Sequence, residues 1–161
     1  MNKLNLGCGL DYKEGYINMD FNEEVKADKH FNLNELPYPF KSNSFSEILM
    51  IRILEHLNNP DLVMKEIHRI AKPKAIIKIR VPHFSSIHTW MDIEHKRGYS
   101  IETFKQPNIS DKFKVINQHI EIPMRSFLIK PIAKYFPIIY EKCFAYIFTA
   151  TDLVIELGVV K

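Results

Sequence analysis

Cysteine is nearly absent from this chain of 161 residues: Cys8 and Cys143 stand alone, the first of them embedded in a glycine turn. Two thiols so placed exclude a disulfide framework and a cysteine-based zinc site, and they point to a reducing compartment. Glycine is scarce as well, with five residues in all. No apolar signal segment opens the sequence. The most apolar late stretch, residues 126–150, is interrupted by Lys130, Lys134, Glu141 and Lys142, which excludes a membrane span. With 46% apolar and 25% charged residues, and no repeat or low-complexity tract, the composition is that of a folded globular protein. The expectation is one cytoplasmic domain, residues 1–161, able to bury a core but too short to add a separate substrate domain.

A cluster of arginines is also lacking. Residues 1–66 hold 7 Lys and Arg against 11 Asp and Glu, whereas residues 67–161 hold 15 against 8. The later half is therefore basic, but its charges are scattered, which disfavours a nucleic-acid partner relative to a solvated surface.

What is present is an alternation of short apolar runs. Residues 3–6 and 16–21 read as strands, each ending in a polar turn, and residues 46–53 form an apolar run of strand length. Between 22 and 44, Pro37, Pro39 and scattered Asn and Ser imply a loop with one short strand near 30–33. The segment LVMKEIHRIAK, 62–72, keeps its apolar positions to one helical face. Strands are expected at 75–82, 113–123 and 152–160, a helix start at 100–106, and helical pieces between the prolines of 124–149. Strands interleaved with helices imply a doubly wound, mostly parallel α/β sheet whose ligands sit at the carboxyl ends of the strands.

Two of the five glycines, Gly7 and Gly9, stand one residue apart at such an end, in LNLGCG. A dinucleotide fingerprint would add a third glycine, a helix and an acidic residue about 20 positions on. Here Asp20 follows Gly9 by only 11 residues. That leaves no room for the first crossover helix, whose N-terminus would seat a pyrophosphate. A nicotinamide-dependent oxidoreductase is disfavoured accordingly. A nucleoside cofactor without phosphates needs only backbone contact at the turn, a carboxylate for the ribose and an apolar slot for the base; S-adenosylmethionine meets that description.

The order of these motifs carries a resemblance. LNLGCG with Asp20, the segment LNELPYPFKSNSFSEILMIRILEHL, the helix ending IHRIAKP, and VPHF followed by DIEHKRGYS resemble the class I, seven-strand Rossmann-like S-adenosylmethionine-dependent methyltransferases, over roughly residues 3–105. The closer similarity is to a short bacterial and archaeal branch related to glycan-modifying enzymes. The resemblance implies that Leu6, Gly7, Cys8 and Gly9 border the methionine part of the cofactor. Asp20 would bind the ribose hydroxyls, with Phe21 beside it. Asn32 and Leu33 would meet the adenine where the family commonly has Asp-Leu, and Ile51, Arg52 and His56 would line the other side. Two departures from the family pattern are expected: the spacing leaves the first helix shortened or missing, and the N-terminal helices that cover the site in many methyltransferases are absent. The apolar insertion at 124–149, between the last two strands, is then the candidate lid, dimer surface or both.

On the acceptor side, methyl transfer to a hydroxyl needs positioning and a proton acceptor, and no metal is obligatory. His83, His88 and His95 fall within 13 residues, beside Asp92, Glu94 and Arg97. His83 and His95 are the candidates for base or acceptor-orienting residue, and Arg97 for holding an anionic group. A rival metal site from His83, His88, Asp92 and His95 has competent ligands but no recognised spacing. The expected function is transfer of a methyl group to the hydroxyl of a small molecule or glycan precursor. A non-catalytic cofactor-binding module acting through a partner surface is the alternative. Expected partners are the glycan or small-molecule acceptor, a second copy of the chain through 124–149, and a membrane surface meeting the basic and aromatic residues of that insertion.

Overall fold

The computed structural model describes residues 2–161. Its strands are β1 (Lys3–Leu6), β2 (Ile17–Asp20), β3 (Lys29–His30), β4 (Phe45–Ile51), β5 (Ala71–Pro82), β6 (Phe113–Ile120) and β7 (Asp152–Val159). They form one sheet in the order β3-β2-β1-β4-β5-β7-β6. β1 to β5 run parallel, and β7 is antiparallel to both β5 and β6. This is the mostly parallel α/β sheet that the interleaved pattern predicts.

Alternation along the strands divides the sheet into two unlike faces. Leu4 and Leu6, Ile48 and Met50, Ile77 and Ile79, and Leu153, Ile155 and Leu157 point the same way and are buried in a continuous core. Several of the intervening positions carry charge. Glu47 lies 3.9 Å from Lys3 and 3.5 Å from Lys78, while Arg80 Nη2 reaches Glu121 at 2.5 Å and Asp152 at 2.9 Å. A charged ladder of this kind suits a face that meets water.

The amphipathic pattern at 62–72 forms α1 (Pro60–Ile70). Asn59 accepts the Leu62 N–H at 3.2 Å, Pro60 occupies the first turn, and Asp61 pairs with Lys65 one turn on. The helix stops at Ile70, two residues before the expected end, because Pro73 disfavours helical geometry at Lys72; the chain turns extended at Ala71 and enters β5 directly. Pro107 acts similarly on the helix expected at 100–106. Gln106 is extended, which splits the segment into a 3₁₀ turn, Thr103–Lys105, and the single turn α3 (Pro107–Ser110). Residues 83–99, whose sequence reads as a loop dense in His and aromatic residues, contain a short helix, α2 (Ile87–Met91); Ser86 caps it by accepting the His88 N–H at 3.2 Å.

The first crossover has no helix, as its length predicts. Residues 7–16 make only turns. Two buried asparagines on the polar face hold them: Asn5 Nδ2 donates to Asp11 O and Asn18 Oδ1, both at 3.0 Å, and Asn18 Oδ1 also accepts the Lys13 N–H at 2.9 Å. Side chains thus satisfy the backbone that a helix would have satisfied itself.

The insertion is helical in pieces: a 3₁₀ segment, Met124–Ile129, then α4 (Lys130–Tyr135) and α5 (Pro137–Cys143). Ile129, Ala133, Tyr140 and Ala145 enter the core, while Met124, Phe127, Leu128, Tyr135, Phe136, Tyr146 and Ile147 are exposed. Among the described residues no helix is long and apolar enough to cross a membrane.

Candidate functional site

The site begins at the end of β1. Gly7 (φ +64°) and Gly9 (φ +49°) both adopt left-handed geometry. The N–H groups of Gly7 and Cys8 turn back onto Met19 O at 2.8 and 3.1 Å, and Gly9 N–H donates to Asp20 Oδ2 at 2.7 Å. A side chain at Gly7 would fall 2.5 Å from Ile53 Cγ1, whereas the space beside Gly9 is open. The turn is therefore sealed on one side and accessible on the other. Asp20 is buried, and its second oxygen accepts the Asn22 N–H at 3.0 Å.

Phe21, the residue after Asp20, lines a hollow of about 740 Å³ together with His30, Phe31, Asn32, His56 and Ile93 among others, whereas Gly7, Gly9 and Asp20 are not part of its lining. Phe21 is 71% exposed and offers a free aromatic face next to the carboxylate. The Asn32 amide is folded into its own turn, accepting the Asn34 N–H at 3.0 Å and donating to Glu35 Oε1 at 3.2 Å. An open glycine edge, a strand-terminal carboxylate and an adjoining aromatic-lined hollow fit a nucleoside-bearing cofactor.

The structure brings Phe21, Asn32 and His56 to this hollow, and other expected residues elsewhere. Leu6 and Leu33 are core residues. Cys8 is buried with its thiol toward Lys26 O at 3.8 Å, and burial raises its pKa. Ile51 faces a separate hollow on the polar side of the sheet, together with Asp11, Lys78 and Arg80.

A second hollow, of about 560 Å³, is lined by Arg52, His56, His88, Met91, Asp92, Ile93 and His95. His56 and Ile93 belong to both hollows, so the two meet at a shared wall. Loop-to-loop bonds build that wall. Lys96 N–H donates to Glu55 O at 2.9 Å and Tyr99 Oη to Leu54 O at 3.0 Å; the Arg97 guanidinium donates to Leu57 O at 2.8 Å and Asn58 O at 3.2 Å. Gly98 permits this closure, since a Cβ there would meet the Phe84 Cα at 2.6 Å. Arg52, which precedes the wall, holds a left-handed φ of 53° and pairs with Asp152 at 2.8 Å.

The latch places His95 against Glu55 and His56. The two imidazole rings meet edge to face with centroids 4.6 Å apart, and His95 Nε2 lies 3.9 Å from Glu55 Oε1 and 3.7 Å from Asp92 Oδ2. Glu55 is completely buried and neither of its carboxylate oxygens has a hydrogen-bond partner; His95 Nδ1 is also unpartnered. Burial pushes the Glu55 carboxyl up to about 7 and, followed by the neighbouring His95, lowers the His56 pKa. Leaving such a group unsatisfied costs about 1–3 kcal/mol.

His83 and Arg97 depart from expectation. His83 is fully buried: Ser85 N–H donates to its Nδ1 at 3.2 Å, which leaves Nε2 to donate to Glu141 Oε1 at 3.1 Å. Glu141 also accepts from Ser100 Oγ and Ile101 N–H, both at 2.7 Å, so His83 anchors α5 and faces no hollow. The Arg97 guanidinium is spent on backbone carbonyls rather than presented to an anion. The four-residue metal set is likewise broken up, because His83 lies in this anchor, apart from the hollow that His88, Asp92 and His95 line. Glu55, read in the sequence only as part of the stretch ILEHL, lies with His56 and His95 instead; the signal was an acidic residue inside an apolar stretch four positions beyond β4.

The fold is matched by known proteins. Residues 4–79 match the family model described as a methyltransferase domain. No curated protein matches the sequence. Among solved structures, the chain is similar to an S-adenosylmethionine-dependent methyltransferase from Archaeoglobus fulgidus, with 20% identity, a TM-score of 0.70, and 97% of this chain and 85% of the other covered. A methyltransferase from Mesorhizobium loti gives 12%, 0.68, and 98% and 90%. The Haloferax volcanii methyltransferase solved in complex with the Trm112 methyltransferase activator gives 18%, 0.61, and 98% and 81%. The fold is thus that of the Rossmann-like S-adenosylmethionine-dependent methyltransferases, and the matched segment spans the glycine turn, Asp20, the Glu55–His56 pair and α1.

Proposed function

We propose that this chain is an S-adenosylmethionine-dependent methyltransferase acting on a hydroxyl of a small molecule or glycan precursor. S-adenosylmethionine is the cofactor that the methyltransferase-domain match implies. When bound it supplies an electrophilic methyl group on a sulfonium centre. Gly7, Gly9 and Asp20 would hold it at the turn, with Phe21, Asn32 and His56 lining the adjoining hollow.

The observation that carries the reading is the meeting of two hollows at one wall, His56 and Ile93. One hollow is lined by Phe21, the neighbour of the Asp20 that ties down the glycine turn. The other is lined by polar groups suited to an acceptor: His95 orients its oxygen, and the Asp92 carboxylate beside it receives the proton. Incubation with S-adenosylmethionine and a panel of sugar and glycan-precursor alcohols tests this through release of S-adenosylhomocysteine. Turnover lost in His95→Ala with cofactor affinity retained supports it; cofactor binding with no turnover on any acceptor favours the non-catalytic module.

The exposed apolar residues of 124–149 alternate with Arg125, Lys130, Lys134 and Lys142, and the acidic residue among them, Glu141, is spent on His83. This composition supports presentation of the acceptor at an anionic membrane surface.

A further inference from the structure

We infer that Glu55, His56 and His95 form a binding site for a divalent transition ion of the zinc type, placed at the wall between the two hollows. It deepens the methyl-transfer reading by supplying a way to fix the acceptor oxygen, and it rests on that reading for its role but not for its existence.

The donor set is chemically suited. One carboxylate oxygen and two imidazole nitrogens lie within 4.8 Å of one another. Two histidines with one glutamate is a ligand set of zinc sites that keep an open position for water or substrate. Donors sharing a tetrahedral zinc at about 2.0–2.2 Å stand roughly 3.4 Å apart. The His95 Nε2 to Glu55 Oε1 separation of 3.9 Å is therefore within about half an ångström of that spacing. His56 offers a ring nitrogen within 4.8 Å of both.

Burial is the second and independent observation. Glu55 is wholly excluded from solvent, yet its carboxylate has no donor on either oxygen. Other buried carboxylates have donors on at least one oxygen: Glu66 is gripped by Arg69 and the Tyr38 N–H, and Asp152 by Arg52 and Arg80 through Oδ2, with its Oδ1 alone unpartnered. A cation held between Glu55 Oε1 and His95 Nε2 would satisfy the carboxylate that no donor reaches.

The open side of the cluster faces the hollow that contains Asp92 and His88. Coordination positions left free by the protein point to the space assigned to the acceptor, where an alcohol oxygen or a water completes the shell. The ion would thus hold the acceptor oxygen next to the wall shared with the cofactor hollow.

The test is calorimetric titration of the chelator-treated protein with Zn²⁺, without any cofactor, together with the visible spectrum of the Co²⁺-loaded chain. One equivalent bound per chain, tetrahedral Co²⁺ bands without thiolate charge transfer, and at least tenfold weaker binding in Glu55→Gln and in His95→Gln are expected. Binding untouched by both substitutions, or no Co²⁺ bands in the unsubstituted protein, overturns the proposal. The spectrum of the unsubstituted chain decides the matter even where a variant fails to fold. S-adenosylhomocysteine binding, measured separately in chelator, separates failure of the ion site from failure of the cofactor reading.

Discussion

The carboxylate of Asp20 accepts the backbone N–H of Gly9 at 2.7 Å, which ties the end of β2 to the turn that follows β1. One side chain both fixes the turn and presents a carboxylate beside the cofactor hollow. Asp20→Ala should therefore cost stability as well as binding, by about 1–3 kcal/mol for the lost charged hydrogen bonds. Urea denaturation checks the first effect, and an unchanged midpoint would mean that the turn holds without Asp20.

Gly7 has no such latitude. A methyl group there meets Ile53 Cγ1 at 2.5 Å on a backbone with φ +64°. Gly7→Ala should destabilise the fold by about 1–3 kcal/mol, while the same substitution at Gly9, where the space is open, carries the backbone strain alone. Denaturation midpoints ordered Gly7→Ala below Gly9→Ala are expected; the reverse order contradicts the packing argument.

The His83 anchor gives a pH dependence with a definite sign. Burial raises the Glu141 carboxyl, but the hydrogen bonds from His83, Ile101 and Ser100 outweigh it and hold the group below the ordinary glutamate value of 4.5. A folded pKa below the unfolded one means that the contribution to stability is present above about pH 4.5 and is lost as pH falls through the folded value. Acid titration followed by near-ultraviolet circular dichroism should detect loosening of α5 below pH 4.5, and Glu141→Gln should remove that pH dependence. A Glu141→Gln profile that matches the parent below pH 4.5 would contradict the assignment.

Charge and exposure in 124–149 predict salt-sensitive attachment to lipid. Co-sedimentation with vesicles rich in anionic lipid should exceed that with neutral vesicles, fall with added salt, and drop in Phe127→Ser with Leu128→Ser. Equal recovery on both lipids sinks the membrane reading. Dimers in analytical sedimentation that those substitutions dissolve would assign the surface to a second copy instead.

Much of the fold was legible from periodicity. The alternating runs gave the strands, the one-sided apolar pattern gave α1, and the spacing from Gly9 to Asp20 gave the missing crossover helix. Two slips came from proline: Pro73 ended α1 early and Pro107 split the helix expected at 100–106. Within the site, Gly7, Gly9, Asp20, Phe21 and His56 were legible because they follow strand ends, where α/β sheets place ligands. His83, Arg97 and Ile51 were not, since loop proximity in sequence says nothing of direction. His83 turns inward to meet Glu141, a partner 58 residues away. Glu55 was legible as part of the stretch ILEHL, but its pairing with His95 was not, for the same reason: only the latch through Lys96 and Tyr99 brings His95 onto it.

The most direct test of the account is calorimetric titration of the purified chain with S-adenosylmethionine, S-adenosylhomocysteine and NAD in turn, repeated on Asp20→Ala. The account predicts that the first two bind with one site per chain and weaken at least tenfold in the variant, while NAD does not bind. Absence of binding by either sulfur nucleoside, or binding indifferent to Asp20, would contradict it.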